Sequence, residues 1–86
     1  MRLYIEMTPE QFERYFPEIA YPEIPDWCDT VKVWISSPRV NNGIISAGVR
    51  AISLYYYGRA QFTITFLNWV LFSLPERTFT VKEGEL

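Results

Sequence analysis

The chain has 86 residues, 49% of them hydrophobic and 17% aromatic, with a formal charge of −2, which suits one small domain with a dense apolar core. It has no histidine and a single cysteine, Cys28, which excludes imidazole acid–base chemistry, Ser-His and Cys-His nucleophiles, an internal disulfide and paired-thiol motifs. The charge is unevenly placed: residues 1–29 hold seven acids against two bases, and no carboxylate lies between Asp29 and Glu76, where Lys32, Arg39, Arg50 and Arg59 fall. Asymmetry of this kind bears on partners rather than on fold.

Residues 2–7 read as a strand with Leu3, Ile5 and Met7 on one face, not as the apolar run of a leader peptide. Thr8-Pro9-Glu10-Gln11 is a helix start, with Thr8 as N-cap, Pro9 at the first position and Gln11 closing a capping box. Pro17 disfavours helix at Phe16, so the helix is about two turns long and needs Phe12 and Phe16 to pack on a sheet.

Residues 17–29 form an ordered Pro-rich loop in which Pro17-Glu18-Ile19 recurs as Pro22-Glu23-Ile24. The prolines hold it extended and remove ladder donors. It sets Tyr21, Ile24 and Trp27 among the acids Glu18, Glu23, Asp26 and Asp29. Cys28 reads as a small buried hydrophobe beside Trp27, in keeping with a reducing, cytoplasmic setting.

From Thr30 the pattern has period two, with Val31, Val33 and Ile35 on one face and Lys32, Trp34 and Ser36 on the other. Ser37-Pro38 interrupts it, and Asn42-Gly43 predicts a hairpin turn. Over residues 44–57, Ile45, Val49, Ile52 and Tyr56 suit a helix closed by Gly58, while the β-branched and triple-Tyr content favours a strand. The strand is preferred, with Gly48 as a candidate bulge. Residues 60–66 form the clearest strand, with Phe62, Ile64 and Phe66 inward. A three-residue loop Tyr57-Gly58-Arg59 sets Leu54 opposite Phe62, Ile52 opposite Ile64, Ser53 opposite Thr63 and Tyr55 opposite Gln61. Residues 67–74 are apolar on both sides, which predicts either a strand buried on both faces or a short helix from Asn68. Phe62 to Leu74 is too short, and carries too many polar side chains, to span a bilayer as a helix. After a turn at Pro75-Glu76, Phe79 and Val81 alternate with Thr78, Thr80 and Lys82 in a last strand.

The predicted fold is α+β: an antiparallel sheet of four or five strands with one short N-terminal helix packed on one face. The glycines fit no phosphate-binding pattern, and the acids show neither calcium-loop spacing nor an enclosed sugar cleft. No catalytic residue, cofactor or metal is therefore expected.

Two binding surfaces are predicted. In the first, Tyr21, Ile24 and Trp27 anchor in a protein partner's pockets while Glu18, Glu23, Asp26 and Asp29 form an acidic rim that favours a basic target; the alternative is that Ile24 and Trp27 fold down over an open end of the core. An inhibitor or adaptor of the kind mobile elements encode would suit this size. The second is a carboxylate-free sheet face, with Lys32, Trp34 and Tyr55 on it and Tyr57 and Arg59 at the hairpin tip. Aromatics among bases are the components of a platform for single-stranded nucleic acid. A third expectation is self-assembly through an exposed strand edge, and no membrane partner is expected.

Overall fold

The computed structural model describes residues 2–17 and 23–85. Strand β1 (Arg2–Met7) leads into helix α1 (Pro9–Tyr15), and β2 (Thr30–Asn41), β3 (Ile44–Tyr56), β4 (Arg59–Pro75) and β5 (Lys82–Gly84) follow. They form one antiparallel sheet in the order β4-β3-β2-β1-β5, so β4 and β5 are its edges. The fold is the expected α+β arrangement.

The helix begins where the sequence places it. The Thr8 hydroxyl accepts from the Gln11 backbone N–H at 3.1 Å, and the Gln11 side chain accepts from the Thr8 N–H at 3.0 Å. Seven residues are too few for a stable helix in water, and tertiary contacts hold this one. Phe12 is buried and stacks on Phe16 at 5.2 Å; Phe16 meets Phe72 at 5.1 Å, and Tyr15 meets Phe79 edge-on at 5.2 Å. Beneath the helix lie Ile5, Met7, Val31, Val33, Ile35, Val49, Ile52 and Leu54, all buried. The opposite sheet face is left open.

Register follows side-chain matching. Leu54 opposes Phe62, Ile52 opposes Ile64 and Ser53 opposes Thr63, as expected. Tyr55, however, opposes Ala60 rather than Gln61, and the turn has two residues, Tyr57 and Gly58, rather than three. Gln61 bulges out of β4, and that extra residue reconciles a tight turn with matched faces.

Ser37-Pro38 interrupts the alternation as a bulge within β2: two residues there oppose Ala47 alone, Ser37 takes a positive φ of 52°, and pairing resumes at Arg39. Other expectations are corrected. The bulge in β3 lies at Arg50, not Gly48. Gly48 instead provides room, since a Cβ there would stand 2.6 Å from Trp69 Cε3. Residues 67–74 are neither helical nor buried on both faces; they stay in β4, where residues 66–69 bulge out opposite Arg50, pairing resumes at Val70, and Leu67 and Leu71 are exposed. The last strand begins at Lys82, after Phe79 has turned into the core, and pairs with β1.

Candidate protein-binding site

The Pro-rich loop and the β3–β4 hairpin tip meet at one end of the sheet. The Asp29 N–H donates to the Tyr55 carbonyl at 3.0 Å, and the Asp29 carboxylate accepts from the Tyr57 N–H at 2.9 Å. Cys28 N–H donates to the Pro25 carbonyl at 3.1 Å, closing the turn that presents Asp26 and Trp27. The Cys28 thiol faces inward and donates to the Thr30 carbonyl at 3.3 Å. Burial pushes its pKa up, so at neutral pH it is a protonated core group and not an activated nucleophile.

This docking assembles an exposed aromatic row. Trp27 meets Tyr56 edge-on at 6.4 Å between ring centroids, and Tyr56 meets Tyr57 at 4.4 Å. All three rings are exposed, Tyr57 to 80%. Glu23 and Asp26 are exposed in the loop, and Arg59 is exposed just after the turn. Ile24 is half-buried and packs against the core, so it supports the loop from beneath. Glu18 and Tyr21 lie outside the described residues.

The backbone at Tyr57 bears directly on function. Tyr57 and Gly58 have φ of 50° and 76°, the pair of left-handed residues that a type I′ turn requires. The other tight hairpin meets the same need with Asn42 at 54° and Gly43 at 77°. Asn tolerates this region, whereas a bulky side chain there costs about 1–2 kcal/mol. Tyr57 therefore sits in a strained position while its ring is mostly in water.

The open sheet face is less accessible than its sequence pattern implies. Trp34 does lie on it, but at 2% exposure it is sealed: its indole N–H donates to Ser53 Oγ at 2.8 Å, and Tyr4 tilts against its ring at 5.1 Å. Lys32 is held between two rings, with Nζ 4.6 Å from the Tyr4 centroid and 4.4 Å from that of Tyr55. Nor is the face free of carboxylates, because β1 joins the sheet beside β2 and sets Glu6 opposite Lys32. Tyr57 and Arg59 lie at the hairpin tip, beside the acidic loop and off this face.

Sequence reasoning missed Tyr56, whose ring bridges Trp27 and Tyr57. The available signal was the run Tyr55-Tyr56-Tyr57, which sets Tyr56 directly before the turn. Among the described residues no group of three or more His, Cys, Asp or Glu lies where it would hold a metal ion, and no helix is long and apolar enough to cross a membrane. Comparison of the chain with protein-family models, with curated proteins and with solved structures returns no match.

Proposed function

We propose that this chain is a non-enzymatic protein-binding module, an inhibitor or adaptor that occupies a site on a larger protein. Its contact surface is the row Trp27, Tyr56 and Tyr57, rimmed by Glu23 and Asp26. The observation that carries this reading is Tyr57, a strained residue that is 80% exposed. Local strain held at an exposed position points to a function other than stability. Tyr and Trp are also the side chains most enriched among binding hot spots. The acidic rim favours a target with a basic border and speeds encounter at low salt. A reducing compartment such as the cytoplasm suits a chain whose lone thiol is a core group. The nucleic-acid reading has less support, because Trp34 offers no face for stacking and Lys32 is engaged by two tyrosines.

Affinity capture from source-cell extract, compared between the wild-type chain and Trp27→Ser and Tyr57→Asn variants, tests the proposal. The partner is the protein retained by the wild type and lost from both variants. With that protein in hand, Glu23→Gln combined with Asp26→Asn should slow association about tenfold at low salt, while Tyr57→Asn should act mainly on dissociation. If both aromatic variants retain the same proteins as the wild type, the tip is not the contact surface.

A further inference from the structure

The two edges of the sheet are built differently. β5 is three residues long and carries Lys82 and Glu83, the kind of short, charged edge that resists pairing. β4 is 17 residues long and has no charged residue from Ala60 to Pro75. Among the described residues only β3 pairs with it, so the other side of its two paired stretches, residues 59–65 and 70–75, presents unpaired backbone groups; between them residues 66–69 bulge out opposite Arg50. Along it Leu67 is 100% exposed, Leu71 84%, and Phe62 and Trp69 about half. Phe62 lies on the helix-facing side opposite buried Leu54, while Leu67, Trp69 and Leu71 leave roughly 400 Å² of apolar surface in water, within the range of the largest patch of a typical monomer and often a sign of function. With the backbone edge added, this approaches the ~800 Å² per partner of a standard interface.

We infer that the partner of this edge is a second copy of the chain. Two β4 strands would join antiparallel across a two-fold axis, making one continuous sheet from two five-stranded halves. Such an axis brings residues near it against their own counterparts, so any charge there would meet its own sign. From Ala60 to Pro75 the edge satisfies that condition. A different protein would instead be selected by complementary charges, and beyond Arg59 at its start β4 offers none. The pair is closed, because each copy contributes its single long edge and the β5 edge is short and charged. The inference stands on β4 alone and does not depend on the aromatic tip.

Sedimentation equilibrium of the full chain from about 1 µM to about 100 µM tests it. The wild type should give twice the 10.2 kDa chain mass, with slow amide exchange along β4. Leu67→Lys combined with Leu71→Lys should raise the dissociation constant at least about 100-fold. Because both side chains are exposed, circular dichroism should be unchanged. A third variant, Glu13→Lys on the exposed side of α1, should dimerise like the wild type. A wild type that is monomeric at the highest concentration would overturn the inference, as would a double variant of undiminished affinity. Masses that climb beyond the dimer would also overturn it, by ruling out a closed pair. None of these results alters partner capture by Trp27 and Tyr57, so the two proposals fail separately.

Discussion

Replacing Ser53 by alanine should destabilise the fold far more than removing one hydroxyl suggests. Ser53 is buried on the open sheet face; its oxygen accepts from Trp34 Nε1 at 2.8 Å and lies 2.8 Å from Thr63 Oγ1. In the Ser53–Thr63 contact either hydroxyl can donate. Alanine leaves the Trp34 N–H without a partner at 2% exposure, whereas Thr63 is exposed and turns to water. An orphaned buried donor costs about 1–3 kcal/mol, which for a domain of this size lowers Tm by roughly 8–16 °C at a mid-range 2 kcal/mol. Urea unfolding followed by circular dichroism measures the loss directly. The same substitution in a Trp34→Phe background should cost less than about 0.5 kcal/mol, since no donor remains to be orphaned. Equal losses in the two backgrounds would refute the reasoning and reduce the Trp34–Ser53 contact to ordinary packing.

Asp29→Ala should cost about 1–2 kcal/mol and speed exchange of the Tyr57 amide, with Asp29→Asn retaining most of the bond; hydrogen exchange with urea unfolding checks both. Gly48→Ala should force the Trp69 ring away from its place beside Arg50, costing about 1 kcal/mol and red-shifting tryptophan emission. The thiol of Cys28 is held above its ordinary pKa, so the unfolded chain releases that proton first and stability should fall as pH rises above about 8.5. The contribution is complete below the unfolded-state pKa and is lost as pH rises through the folded-state value. The difference between wild type and Cys28→Ala across that window isolates it from the tyrosines.

Much of the fold was legible because it rests on local or near-neighbour physics. The capping box needs three residues in sequence, and the β3–β4 register follows from matching Leu54 with Phe62 and Ile52 with Ile64. The fate of Trp34 was not legible. Period two placed it on the open face correctly, but the neighbours that seal it, Tyr4 and Ser53, come from other strands. The far half of β4 misled for a related reason. An apolar run on both sides reads as burial within the chain, whereas Leu67 and Leu71 are exposed. Sequence pattern does not distinguish a core from an interface. The tip was half legible: Trp27 and Tyr57 stood out separately, and the Asp29 bonds to the Tyr57 N–H and the Tyr55 carbonyl bring them together.

Tyr57→Asn, followed by thermal unfolding and partner retention on the same preparation, probes whether that ring serves binding or folding. Releasing about 1 kcal/mol of backbone strain against a lost surface stack of about 0.5 kcal/mol predicts a Tm unchanged or higher by roughly 2–4 °C, together with loss of the captured protein. A Tm lower by several degrees with capture intact would mean that the tyrosine is there to hold the hairpin, and the display of aromatic groups would have no recognition role.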